Sequence, residues 1–224
     1  MTFLELCQEA ARKCSITGSL TNVATASGEL ARVVGWVNEA WYDIQIAGPF
    51  WDWMRYEFSF QTVANQQEYS AVAAGTTDFS KWDEDSFRIY KTSIGVADEQ
   101  FLPPWDYRTF RNTYQYATRN TGRPMVFAVK PRGKALLFGE TPDAIYTVVG
   151  EYQRKAKRMD VVNASEPDMP DDFHMAIVHG ARMKYAAFEN APEVMAEAVV
   201  DYDRVMSSML MHETEELSTG APLA

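Results

Sequence analysis

The chain has 224 residues, enough for one domain or for one domain with a large excursion, and a chain of this length needs no covalent cross-links to hold a core. Hydrophobic residues make up 46% of it and charged residues 23%, which excludes disorder along most of its length. The formal net charge of −10 argues against a protein that holds nucleic acid by its phosphates, because an acidic surface repels them.

The excess negative charge is confined to one end of the chain. Residues 1–159 contain 18 Lys/Arg and 18 Asp/Glu, whereas residues 160–224 contain 3 and 13. The first residues lack the basic and apolar regions of a signal peptide, and no apolar run reaches the roughly 20 residues of a membrane span. We therefore expect a protein that is made in the cytosol and has an acidic C-terminal part.

The N-terminal part, residues 1–54, is predicted to contribute two helices to a bundle. Residues 2–14 place apolar side chains on one helical stripe. Residues 28–46 repeat apolar side chains at spacings of three and four, as a helix that faces a core requires. Gly48 and Pro49 then end the second helix.

Residues 55–159 are predicted to form a small antiparallel β-sheet inserted between the helical ends. Aromatic and polar residues alternate from Tyr56 to Gln61, as in a half-buried strand. Further strands are predicted at 86–91, 125–130, 134–138 and 146–153, with a short helix at 105–116.

The C-terminal part, residues 160–214, is predicted to add an antiparallel helix pair to the same bundle. Helical periodicity covers 171–190, and Pro192 fits the first turn of a second helix that runs to about residue 212. Residues 215–224 are predicted to be a flexible tail. The chain is thus predicted to have an α+β fold, a helical bundle with an inserted sheet.

The sequence contains no recognisable catalytic set and no cofactor or metal motif. Cys7 and Cys14 lie two turns apart on one helix, roughly 10 Å along its axis, so we expect two buried thiols and no disulfide. His174 and His179 are separated by about 140° around a helix, so the two side chains do not point toward one metal ion. The acidic run at 83–85 lacks the spaced glycine and distal glutamate of a calcium loop. We therefore expect a protein that is not an enzyme.

The region between Trp36 and Phe60 is unusually aromatic. It contains nine aromatic residues, more than one corner between a helix and a strand readily buries. Burial in the core is the ordinary position of such residues, but aromatic side chains are also enriched at protein interfaces. Trp51, Trp53 and Trp82 are therefore candidate interface residues.

Two basic runs are candidate binding surfaces. The first lies around a predicted hairpin and comprises Arg119, Arg123, Lys130, Arg132 and Lys134. The second follows the last predicted strand and comprises Arg154, Lys155, Lys157 and Arg158. Nucleic acid is one possible partner, but aromatic residues are only weakly interleaved with these basic ones. We favour an acidic partner surface, such as the C-terminal helices of a neighbouring copy or another protein.

The order of these features resembles a known family. Its parts are MTFLEL at 1–6, GELARVVGWVNEAW at 28–41, WDWMR at 51–55, FSF at 58–60, GRP at 122–124, YQR at 152–154 and PDDFH at 170–174. Together they resemble the head-to-tail adaptor proteins of tailed bacteriophages, including the tail tubular proteins of short-tailed phages. The resemblance covers nearly the whole chain.

The resemblance implies a structural virion protein in the neck between head and tail. Such adaptors form a ring, typically of twelve copies, beneath the portal protein and above a tail or nozzle protein, and the genomic DNA passes through the lumen of the ring. In similar proteins the C-terminal segments reach out to the portal or to a neighbouring copy. Acidic helices that line the channel would let DNA slide without sticking. The candidate residues for the channel, or for an acidic interface, are Glu193, Glu197, Asp201 and Asp203.

Three alternative functions stay open at this point. A different neck or tail-completion protein of the virion would have a similar sequence. A DNA-binding packaging component would have to bind DNA in spite of the charge of −10 and without a recognisable DNA-binding motif. An enzyme with an unrecognised site is the third alternative.

Overall fold

The computed structural model describes residues 1–48, 51–116 and 119–215. The predicted tail at 215–224 therefore lies outside the described residues except for residue 215. The helices are α1 Phe3–Lys13, α2 Gly28–Ala47, α3 Tyr107–Tyr114, α4 Met175–Glu189 and α5 Pro192–Glu215. Short 3₁₀ turns lie at Val23–Thr25, Asp52–Met54, Val96–Asp98 and Asp171–Phe173. The strands are β1 Arg55–Gln61, β2 Glu68–Tyr69, β3 Phe79–Lys91, β4 Gln100–Phe101, β5 Thr121–Gly122, β6 Val126–Val129, β7 Leu136–Gly139, β8 Thr141–Pro142 and β9 Tyr146–Arg154.

The chain divides into two compact units. The helical unit consists of Met1–Trp53 and Ala156–Ala224, and the sheet unit consists of Met54–Lys155. The sheet unit therefore interrupts the helical unit once along the sequence. Helices account for 42% of the described residues and strands for 22%, and the predicted α+β fold is confirmed.

Helix α1 of the helical unit begins with a capping box. The backbone N–H of Glu5 donates to Thr2 Oγ1 over 3.3 Å, and the backbone N–H of Thr2 donates to Glu5 Oε2 over 2.9 Å. The inner face of the helix buries Phe3, Leu6 and Cys7 completely. Burial raises the pKa of the Cys7 thiol to about 12. Both cysteines are free and buried, as their spacing predicts.

Helix α4 lies at the centre of the helical unit, where it contacts α1, α2 and α5. Its side chains Ile177 and Val178 have no exposed surface. Gly180 permits the close approach of α2, because a Cβ atom built at Gly180 would lie 3.0 Å from Ala40 Cβ. Each fully buried aliphatic side chain stabilises this packing by about 1.5–3 kcal/mol relative to exposure.

The described part of the sheet unit forms three sheets, where the sequence predicted a single antiparallel one. A four-stranded antiparallel sheet has the order β1-β9-β3-β4, a three-stranded antiparallel sheet has the order β2-β7-β6, and β5 and β8 form a parallel pair. Strand β3 begins at Phe79 and not at the predicted residue 86. Register shifts between Phe79 and Lys81 and between Asp83 and Arg88 interrupt its alternation.

An aromatic core fills the sheet unit. The ring centroid of Trp82 lies 4.2 Å from that of Phe79 and 4.9 Å from that of Phe58. Phe87 stacks on Phe127 with centroids 4.2 Å apart. Aromatic pairs at these distances contribute about 0.5–1.5 kcal/mol beyond the burial of their area.

Two histidines of the helical unit, His174 and His179, are buried. Nε2 of His174 donates to the carbonyl oxygen of Met169 over 3.0 Å, and its Nδ1 accepts from the amino terminus of Met1 over 2.7 Å. Nδ1 of His179 lies 3.8 Å from the Asp201 carboxylate. Burial is the largest cause that lowers the pKa of both imidazoles below the ordinary value of 6.5.

We expect the helical unit to lose stability as the pH falls from 7 to 5. A histidine whose pKa is lowered by folding stabilises the fold above its unfolded pKa of about 6.5, and this contribution is lost as the pH falls through that value toward the folded pKa. The loss is at most about 1.4 kcal/mol per pH unit for each histidine. Asp201 opposes it at His179, whereas Lys13, Arg182 and Arg204 add to it.

Urea denaturation at pH 7.5, 6.5 and 5.5 measures this effect. The matched control is the double variant His174→Gln, His179→Gln, whose side chains do not titrate. The free energy of unfolding of this variant should depend less on pH over that window. If the wild-type chain and the variant have the same pH dependence, the histidines are not its source.

Candidate assembly surfaces

The structure places two of the three candidate interface tryptophans in the core. Trp51 is 0% exposed and its Nε1 donates to the carbonyl oxygen of Ile44 over 3.0 Å. Trp82 is 2% exposed and its Nε1 donates to the carbonyl oxygen of Lys134 over 2.8 Å. Neither indole has surface to present to a partner, which corrects the interface hypothesis for both. Trp53 is half-buried, with its ring stacked near those of Trp41 and Trp51 at centroid distances of 5.3 and 6.0 Å.

The basic run after β9 is only partly available to a partner. Arg154 is 4% exposed, lies over the Tyr56 ring and donates to the Tyr56 hydroxyl over 3.3 Å, so it belongs to the sheet unit's interior. This corrects the surface role expected for Arg154. Lys157 is exposed and pairs with Asp168 over 3.3 Å. Lys155 and Arg158 are exposed as well, and Arg158 lies over the ring of Tyr42.

The four candidate acids on α5 fall into two pairs. Glu197 and Asp201 contact the guanidinium of Arg182, which is mostly buried on α4, at 2.5 and 3.6 Å. Asp201 also pairs with Arg204 over 3.1 Å. These contacts hold α5 against α4. Glu193 and Asp203, in contrast, are exposed and have no ion pair within the described part of the chain.

The negative charge of the protein is carried by the helical unit alone. This unit contains 8 Lys/Arg and 19 Asp/Glu, a formal charge of −11, whereas the sheet unit contains 13 and 12, a formal charge of +1. The uneven charge that the sequence shows along the chain is therefore also a difference between two folded units.

The basic run around the β6–β7 hairpin divides in a similar way. Arg123 donates to both carboxylate oxygens of Asp98 and holds the pKa of that carboxyl below its usual value. Lys130 pairs with Glu68 over 2.9 Å. Three cations are exposed and have no ion pair among the described residues: Arg119, Arg132 and Lys134.

Helix α3 adds two cations that lie outside both basic runs of the sequence. Phe110 is fully buried and packs with Val126 and Ala128 of β6, which brings α3 onto the sheet that carries the hairpin. Arg108 and Arg111 lie three residues apart on the exposed side of α3. We name Arg108, Arg111, Arg132 and Lys134 the basic surface.

The outer face of α5 combines acidic and apolar side chains. Val200 is 68% exposed and lies between Glu193 and Asp203 along one helical stripe. We name Glu193, Glu197, Val200 and Asp203 the acidic face.

No metal site is found within residues 1–48, 51–116 and 119–215, where no group of three or more His, Cys, Asp or Glu side chains could hold an ion. Asp83 of the acidic run lies 3.7 Å from the Arg55 guanidinium, at the edge of an open groove of about 740 Å³ in the sheet unit. Over the same described ranges, the helices are too short or too polar to span a bilayer.

Comparison with known families identifies the class of protein. The family model described as SU10 adaptor protein matches residues 1–223. The chain therefore belongs to the SU10 adaptor protein family, and its resemblance to phage head-to-tail adaptors is confirmed. It is a bacteriophage adaptor protein, a virion component that contacts other virion proteins. No curated protein matches the chain.

Proposed function

We propose that this protein is a structural, non-enzymatic subunit of the ring that joins the portal to the tail and surrounds the DNA exit channel. The observation that carries the proposal is the family match over residues 1–223, which includes both units. Twelve copies is the number typical of the adaptors that the chain resembles. The partners are then the portal protein, a tail or nozzle protein and the genomic DNA, which passes through the lumen without specific binding.

The charges of the two units support assembly into a ring. A closed ring of more than two copies needs a heterologous contact, in which two different surfaces of the same chain meet. The helical unit and the sheet unit differ by 12 formal charges, from −11 to +1, so the chain contains surfaces of unlike charge. Unlike surfaces speed encounter and fix the register of the contact.

The acidic face of α5 has two candidate positions in such a ring, the lumen and a contact between copies. In the lumen, Glu193 and Asp203 would repel the phosphates of the duplex and let it slide. Glu197 and Asp201 contribute less free charge in either position, because each already pairs with Arg182.

Negative-stain electron microscopy of the purified full chain, alone and mixed with the portal protein, tests the proposed function. We expect closed rings of one size, and rings docked on one face of the portal in the mixture. A portal sample without the chain identifies the added density. A chain that stays monomeric in both samples contradicts the proposal.

A further inference from the structure

We propose that the basic surface of one copy binds the acidic face of α5 on the neighbouring copy, an inference that rests on the proposed ring. The occupant of the basic surface is thus a second copy of this chain. The acidic face is then covered in the ring and does not line its lumen.

The basic surface is built on a rigid part of the sheet unit. Phe110 of α3 packs in an apolar cluster with Ala128 of β6. Phe110 is 0% exposed and Ala128 is 1% exposed. On the hairpin, the backbone N–H of Lys130 donates to the carbonyl oxygen of Ala135 over 2.8 Å, and the buried Trp82 donates to the carbonyl oxygen of Lys134. A surface held in this way loses little conformational entropy when it binds.

The cations of this surface are not neutralised by their own chain. Arg108, Arg111, Arg132 and Lys134 are exposed, and none has an ion pair with a described residue. Several other exposed arginines do have partners: Arg12 pairs with Glu9, Arg88 with Glu99 and Arg204 with Asp201. These cations, on α3 and on the hairpin of the sheet that α3 packs against, are free to bind a counter-charge from outside the chain.

The acidic face supplies the opposite charge, as carboxylates on one side of α5. Glu193, Glu197 and Asp203 lie on one side of α5, and only Glu197 has a cation partner. Because the helix rises about 1.5 Å per residue, the carboxylates from Glu193 to Asp203 extend over about 15 Å. Val200, exposed between them, adds apolar area that a contact would remove from water.

A second copy fits the basic surface better than a duplex does. The two surfaces belong to different units of the same chain, as the heterologous contact of a ring requires. The net charge of −10 opposes the approach of DNA to the whole chain but not the approach of one local patch to an opposite one.

Charge reversal on each surface, followed by mass photometry of the purified full chain at low ionic strength, tests the contact. Arg108→Glu with Arg111→Glu, and separately Glu193→Lys with Asp203→Lys, should each lower the population of rings at least tenfold. Mixing the two variants should restore rings in which the variants alternate, because every contact then joins opposite charges, and combining all four substitutions in one chain should also restore assembly. Circular dichroism confirms that each variant is folded.

A matched control is Arg12→Glu with Arg88→Glu, which changes the net charge as much but lies on neither surface. It should assemble like the wild-type chain. If the charge-reversed variants also form wild-type rings, the contact is wrong and the ring itself stands. A basic-surface variant that assembles normally but loses affinity for duplex DNA assigns that surface to nucleic acid and overturns the contact. A wild-type chain that never assembles, alone or with portal, contradicts both the ring and the contact.

Discussion

Replacing Trp82 by alanine should lower the free energy of unfolding of the sheet unit by about 3–5 kcal/mol. The indole is 2% exposed and its ring contacts those of Phe58, Phe79, Phe87 and Tyr152. Truncation removes this area from the core and leaves a cavity that four aromatic neighbours fill only in part. It also leaves the carbonyl oxygen of Lys134 without its donor.

Urea denaturation followed by far-ultraviolet circular dichroism measures the loss, and hydrogen exchange assigns it to the sheet unit. The control is Tyr116→Ala, which truncates an aromatic side chain that is 77% exposed and should change stability by less than about 0.5 kcal/mol. A loss of under about 1 kcal/mol for the Trp82 variant would show that the indole is not part of the core.

The helical part of the fold could be predicted because its periodicity is regular. In α2, Val37, Trp41 and Ile44 recur at spacings of four and three, and all three are buried. The observed helix, Gly28–Ala47, extends one residue beyond the predicted range of 28–46. A long amphipathic helix can be predicted from its sequence, because every turn repeats the same spacing of apolar residues.

The first half of β3 could not be predicted for a physical reason. Phe79 and Trp82 are both buried although they are three residues apart, and a regular strand would place them on opposite faces. The register shift between Phe79 and Lys81 brings them to one face. A bulge is a feature of strand pairing, so it leaves no signal in the local sequence. For the same reason the pattern did not show that Trp82 is buried.

The roles of the acidic residues on α5 depend on contacts that are distant in sequence. Glu197 and Asp201 have the same local composition as Glu193 and Asp203, yet only the first two contact Arg182 on α4. A lone arginine in an apolar helix that faces an acidic helix was the available signal. It indicates an ion pair between helices, but not which of several acids takes part in it. The basic surface was incomplete for a similar reason, because the packing of Phe110 and its neighbours that brings α3 onto the sheet with the hairpin is distant in sequence.

The two amide side chains Asn38 and Gln45 of α2 hold the chain where it re-enters the helical unit after β9. Asn38 Nδ2 donates to the carbonyl oxygen of Met159 over 3.0 Å, and the Met159 N–H donates to Asn38 Oδ1 over 2.8 Å. Gln45 forms the same reciprocal pair with the backbone of Lys157, over 2.8 and 3.1 Å. Both amides are buried, so they replace the strand partner that this extended segment would otherwise need.

Replacing Asn38 by leucine should lower the free energy of unfolding of the helical unit by about 2–4 kcal/mol. The substitution leaves the N–H and the carbonyl of Met159 without partners in a buried place, and each unpaired backbone group costs about 1–3 kcal/mol. The variant Asn38→Asp tests the loss of the donor alone. Its carboxylate can still accept from the Met159 N–H, but it cannot donate to the Met159 carbonyl oxygen and places a negative charge beside it. Urea denaturation of both variants gives the two values.

The matched control is Asn112→Leu, the same substitution on the exposed side of α3, which should change stability by less than about 0.5 kcal/mol. The double variant Asn38→Leu, Gln45→Leu tests whether the two amides hold the same segment of chain. If both amides hold one segment, the first loss frees it and the second substitution costs less than it does alone, so the two effects are not additive. Strict additivity would mean that each amide holds its own backbone groups independently, and a loss below about 1 kcal/mol for Asn38→Leu would mean that water replaces the amide at this position.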